Sequence, residues 1–165
     1  MRLTALLKFS RASQETKKLL HTTTLALTLA GAYTLFTHIL VPATHSVHPL
    51  VLYRTGDVAA KQNQYVTFLR TDEYLPGGKA HLVKRLGCIG GQFLSKTSNQ
   101  FYCDGTEIAL AMLRDSNGKS LPQFSYTGVI PTDMAFAVGD TTDSYDSRYW
   151  GLLKISDTER LVPIF

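Results

Sequence analysis

The chain has 165 residues, 44% of them hydrophobic and 18% charged, with a net charge of +4. That apolar content excludes wholesale disorder, and two cysteines exclude a disulfide scaffold or a zinc ribbon. The charge is uneven. Residues 1–20 hold Arg2, Lys8, Arg11, Lys17 and Lys18 against Glu15 alone, whereas residues 21–165 hold twelve basic and twelve acidic residues. A nucleic-acid binder carries its excess on the folded domain, so that class is excluded. A basic block beside an apolar run instead marks the flank of a membrane segment.

The run follows at once. Residues 19–41 contain no Asp, Glu, Lys or Arg over 23 positions, and Pro42 closes them. As a helix they span roughly 34 Å, enough for a bilayer core of about 30 Å. Thr hydroxyls in such a helix can bond back to backbone carbonyls. Two other readings compete. Ala30-Gly31-Ala32 resembles a signal-peptide cleavage site, but apolar residues continue through Val41. A buried soluble helix would carry a polar stripe, which the run lacks. The expectation is a basic cytoplasmic segment at 1–18, a retained anchor at 19–41 and an exported domain at 42–165. In a bacterium that is a single-pass inner-membrane protein with its domain in the periplasm.

The exported part reads as one mainly β domain. Apolar and β-branched runs follow one another at Leu50–Tyr53, Tyr65–Leu69, Leu82–Leu86, Gln92–Leu94, Gln100–Cys103, Met134–Val138 and Tyr149–Ile155. Gly, Pro, Asn and Asp separate them, as in antiparallel sheets joined by tight turns. Pro76-Gly77-Gly78-Lys79 is a loop whose spacing is not that of a phosphate-binding loop. Cys88 and Cys103 are expected in adjacent strands, Leu82–Cys88 and Gln100–Cys103. Outside the cytoplasm such a pair can form a disulfide, with a thiol nucleophile as the weaker reading.

Three clusters carry chemistry. Thr44-His45-Ser46-Val47-His48-Pro49 follows the apolar run. Lys84-Arg85-Leu86-Gly87 lies mid-chain. Gly139-Asp140 precedes Ser144-Tyr145-Asp146-Ser147-Arg148-Tyr149-Trp150-Gly151. A serine needs a base to become a nucleophile, and a lysine can be that base only when burial keeps it neutral. Leu82-Val83 and Leu86 around Lys84 suit such burial. Competing readings are a Ser–His pair from His45 or His48, a two-histidine metal site lacking a third ligand, and a calcium loop at Asp140, Asp143 and Asp146 without the required Gly and Glu. No metal or other cofactor is expected.

In order and content the clusters resemble the type I signal peptidase superfamily of membrane-bound Ser/Lys proteases. The first matches Ser-x-Ser-Met-x-Pro with Thr44 for Ser and Val47 for Met. The second keeps Lys84-Arg85, Gly87 and Gly90-Gly91 but lacks the later Pro and Asp. The third matches closely. The resemblance implies Ser46 as nucleophile and Lys84 as general base. It makes Thr44 and the Ser46 N–H the oxyanion donors, has Ser144 orient the lysine, and has Asp146 and Arg148 hold the Ser144 loop.

The shortness of the exported part and Leu52-Tyr53-Arg54 after Pro49 are most like the conjugative-transfer TraF-type peptidases. That branch matures pilin precursors and in some members cyclises them. The implied partners are a pilin or signal-peptide-bearing precursor, the inner membrane and the transfer machinery. Leu50–Tyr53 and Tyr65–Leu69 are expected to line the substrate groove, with pockets for small side chains. The alternatives are a housekeeping leader peptidase and, in another class, a non-catalytic assembly factor of a transfer apparatus.

Overall fold

The computed structural model describes residues 2–165, with side chains from Gln14 onward. Met1 and the side chains of Arg2, Lys8 and Arg11 in the basic flank lie outside the described residues. The chain divides into two compact units, residues 1–39 and 40–165.

The first unit is a helix, α1 (Arg2–His38). Within it Gln14–His38 is long and apolar enough to cross a membrane. The six threonines between residues 22 and 37 all turn their hydroxyls back onto the helix. Thr22 and Thr23 donate to Leu19 O, Thr24 to Leu20 O, Thr28 to Thr24 O, Thr34 to Gly31 O and Thr37 to Thr34 O, each at 2.8–2.9 Å. That removes the cost of carrying hydroxyls in an apolar environment. The helix ends at His38, short of the expected Val41. Ile39–Leu40 are already extended, as two-residue strand β1, and the residue before a proline is disfavoured in helix.

The second unit is mainly antiparallel β. One sheet places β2 (Leu52–Arg54), β11 (Glu159–Pro163), β3 (Tyr65–Thr71), β4 (Lys79–Ile89), β9 (Met134–Val138) and β10 (Leu153–Lys154) as successive neighbours. A smaller sheet runs β7 (Thr106–Leu110), β6 (Gln100–Cys103), β5 (Phe93–Thr97) and β8 (Gly128–Val129). Strand β9 shows the period of two that organises the core. Phe136 and Val138 join Leu94, Phe101 and Ile130 in one cluster, while Ala135 and Ala137 join Val66, Leu86 and Leu153 in another.

Three expectations need correction. Tyr149–Ile155 is not one strand: α2 (Ser147–Trp150) takes its first two residues, because Asp146 caps the turn by accepting from Arg148 N, and only Leu153–Lys154 are extended as a strand. Strands β7 and β11 lie where Glu107, Glu159, Arg160 and Pro163 broke the apolar pattern. Cys88 and Cys103 do not sit in adjacent strands. Cys88 is on β4 of the large sheet and Cys103 on β6 of the small one, and a disulfide joins them with Cα atoms 5.6 Å apart. The bond therefore ties the two sheets together, through a cluster that buries both residues.

Candidate active site

The site is built from three segments that the sheets bring together. The loop carrying Ser46 is fixed by its neighbours in sequence. Val47 is buried. Ser46 O accepts from Asp140 N at 2.8 Å, and His48 N donates to Asp140 Oδ2 at 3.0 Å. Asp140 thus holds the loop on both sides of Val47. Its carboxylate also accepts from Tyr65 Oη at 2.7 Å and Arg85 Nε at 2.9 Å. Burial alone would raise this carboxyl, but those donors hold it below the usual carboxylate range.

Lys84 comes from β4, opposite Val66 of β3. It is 3% exposed, and its Nζ lies 3.0 Å from Ser46 Oγ. Burial lowers the amine to about 8, against the opposing pull of the Asp146 carboxylate. The Arg148 guanidinium adds to the lowering, while Asp140 and Asp143 work against it. With the amine neutral, the serine O–H donates to Nζ, so the pair is arranged to pass a proton. Thr44 Oγ1 donates to Ser46 Oγ at 3.3 Å, and the Ser46 N–H has no intramolecular partner among the described residues.

Asp146 and Arg148 form a closed lattice behind Ser144. Both are buried. Arg148 Nε and Nη2 each lie 2.7 Å from an Asp146 carboxylate oxygen. The guanidinium also donates to the carbonyls of Thr141, Thr142 and Ser144 and to Leu110 O of β7. Asp146 Oδ2 accepts from Gly139 N at 2.7 Å. Every guanidinium nitrogen is engaged, which is how a buried ion pair offsets its desolvation.

The expected hydrogen bond from Ser144 to Lys84 is not made. Ser144 Oγ is buried and has no partner. It packs over Gly139, where a Cβ would come within 2.1 Å of the hydroxyl and 2.7 Å of Ser46 O. In the Ser/Lys reading of the sequence neither Gly139 nor Asp140 carries a role, although both stand in the third cluster. A Gly-Asp pair closing a buried strand was the available sign.

A cleft of about 730 Å³ opens at Ser46 and Lys84. Residues 42–46, 74–76, 80–84 and 143–145 line it. Leu50–Tyr53 and Tyr65–Leu69 do not, contrary to expectation. Strand β3 pairs with β4 along its length and with β11 at Tyr65–Thr67, and none of its residues lines the cleft. The free edge that lines the cleft belongs to β4: residues 80–84 pair with β3, and the pairing with β9 begins only at Arg85. Among the described residues no group of three His, Cys, Asp or Glu side chains converges to hold a metal. His45 lines the cleft, but the partner of Ser46 Oγ across it is Lys84.

A mainly β domain preceded by one apolar helix, with a serine set against a buried lysine, is the architecture of a signal peptidase. The chain belongs to the signal peptidase family, peptidase S26, which it matches over residues 17–160. It is also similar to "Probable conjugal transfer protein TraF" of Sinorhizobium fredii (strain NBRC 101917 / NGR234), with 39% identity over 79 residues. That match covers 46% of this chain and 40% of the relative's length. A crystal structure of a signal peptidase I from Enterococcus faecalis V583 is similar at 21% identity with a TM-score of 0.41, over 63% of this chain and 97% of that one.

Proposed function

We propose that this protein is a membrane-anchored serine endopeptidase that uses Ser46 and Lys84 to cleave a precursor, a pilin for conjugative transfer. The observation that carries the reading is the 3.0 Å contact between Ser46 Oγ and the buried Lys84 Nζ. Neutral Lys84 takes the Ser46 proton as the hydroxyl attacks the scissile carbonyl. The Ser46 N–H and the Thr44 hydroxyl stabilise the oxyanion, each donor contributing roughly 3 kcal/mol. The lysinium returns the proton to the leaving amine, and the acyl group stays on Ser46 as an ester. Water, or an amine of the same substrate, then attacks the ester, and Lys84 again accepts and returns the proton.

The substrate adds as a strand along the open edge at residues 80–84, which brings its scissile bond to Ser46. Anchoring by α1, with residues 1–18 in the cytoplasm and the domain in the periplasm, keeps Ser46 near membrane-held precursors. Asp146 and Arg148 act as the frame of this site, and Ser144 packs beside it. The transfer role is supported by similarity to the conjugal transfer relative. A housekeeping leader peptidase would process many exported precursors instead.

The test is to co-express the chain with a pilin precursor and, separately, with an unrelated exported precursor, and to weigh the products. Processing of the pilin alone supports the conjugative reading; processing of both supports the leader-peptidase alternative. A product lighter than the linear mature chain by one water identifies cyclisation. No processing of either by the intact membrane-inserted protein contradicts the endopeptidase reading.

A further inference from the structure

Beside the cleft lies a second cavity of about 400 Å³. Tyr74, Asp143 and Tyr145 line both, so the two share a wall. The far side of the second cavity contains neither Ser46 nor Lys84. It is formed by Met112, Leu121 and Tyr149 together with residues 114–116.

Its floor is aromatic. Tyr145 stacks between Tyr74 and Tyr149, with ring centroids 5.5 Å apart on each side. Its outer wall is a preformed turn. Asp115 N donates to Lys119 O, Gly118 N to Asp115 O and Leu121 N to Leu113 O. The wall is tied to the catalytic unit by Met112 N donating to Tyr149 Oη at 3.0 Å.

The charges around the cavity are already committed. Asp115 Oδ1 accepts from Asn117 N and Lys119 N. Arg114 Nη1 donates to Gly118 O. Lys119 Nζ sits 4.0 Å over the Tyr74 ring. Of the lining residues Arg114 stands against Asp115 and Asp143, and Lys119 over Tyr74 balances the second anion, so the surroundings have no net charge to select a charged group. The uncharged lining is Met112, Leu121 and tyrosine surface, with the small side chains of Ser116 and Thr142.

We infer that this cavity is a specificity subsite for one large apolar or aromatic side chain of the precursor, away from the scissile bond. The inference rests on the peptidase reading of the cleft. Strand-bound substrates project alternate side chains to one face, so a chain held on residues 80–84 can send one residue into the adjoining cavity. Preformed aromatic pockets with few free polar groups take such side chains.

The test uses the full chain carrying Ser46→Ala, purified in detergent. The probes are alanine-based decapeptides bearing a single Phe, Lys or Glu walked through every position. Binding is read by fluorescence anisotropy. A Phe at one register is expected to tighten binding by about tenfold over the all-alanine peptide, with Lys and Glu showing no gain. Met112→Asp, on an exposed side chain, and Leu121→Glu should each remove that gain without changing affinity for the all-alanine peptide. Equal binding of Phe at every register, or a Phe preference that survives both substitutions, overturns the subsite. Cleavage of the peptides by the Ser46→Ala chain would instead overturn the Ser46 mechanism, and the binding comparison would still decide the subsite.

Discussion

Lys84 Nζ and Ser46 Oγ stand 3.0 Å apart although 38 positions separate them in the chain. Neither residue is on a mobile end of the fold. Lys84 is a mid-strand residue of β4, and Ser46 is fixed through its own carbonyl and through His48 N by Asp140. The pair is thereby preorganised, and the lysine has little water to hold its charge.

That burial has a pH signature. The amine is held at about 8, and only the neutral form can accept the serine proton. Precursor cleavage, measured as kcat/KM, should rise about tenfold per pH unit below pH 8 and level off above it. A histidine base would level off near pH 6.5 instead. The same shift affects stability, over a higher pH window. The unfolded lysine keeps its ordinary value of 10.5, so between about 8 and 10.5 the unfolded chain binds more protons and stability rises with pH. Below that window the full cost of the buried charge is present. Lys84→Met should therefore be inactive yet more stable at pH 7, by an amount on the order of 1–3 kcal/mol in urea unfolding.

Gly139 is the point where the Ser46 and Ser144 loops touch. A Cβ there would meet Ser144 Oγ at 2.1 Å, Ser144 Cβ at 2.3 Å and Ser46 O at 2.7 Å. Gly139→Ala should push both loops aside, lowering kcat by tenfold or more and stability by roughly 1–3 kcal/mol. Steady-state kinetics with near-ultraviolet circular dichroism checks both. Unchanged kcat would show that Ser46 tolerates displacement.

The buried Arg148 guanidinium ties Asp146, the carbonyls of Thr141, Thr142 and Ser144 and Leu110 O together. Arg148→Met leaves the Asp146 carboxylate buried and the carbonyls of Leu110, Thr141, Thr142 and Ser144 without their donor. The expected loss is about 3–5 kcal/mol. Arg148→Lys should recover little of it, since one ammonium cannot reproduce the fork. Urea denaturation of both variants measures this.

The sequence made some of this legible and hid the rest for physical reasons. Residues 100–103 and 134–138 read as strands and are strands with those limits, because their apolar and aromatic runs are uninterrupted by charge. Strands β7 and β11 were hidden because edge and surface strands carry Glu and Arg on their wet face. The turn at 147–150 was hidden because a cap by Asp146, not apolar periodicity, creates it. At the site, residue types and order pointed to Ser46 and Lys84, whose side chains meet. The anchoring by Asp140 and the tight passage at Gly139 are tertiary facts, since both depend on which loops the sheet brings together. The groove is misplaced for the same reason: which strand edge borders the cleft depends on pairing, and residues 80–84 of β4 hold it, not β3.

The central claim is that Ser46 is the nucleophile and Lys84 its base. The most direct measurement is the rate of precursor cleavage by Ser46→Ala and by Lys84→Ala, each purified in detergent and shown to be folded. The predicted result is a fall of about a thousandfold or more for each, with the double variant no worse than either alone, because residues that act as one unit are not additive. Cleavage within tenfold of the unsubstituted chain by either variant would contradict the mechanism.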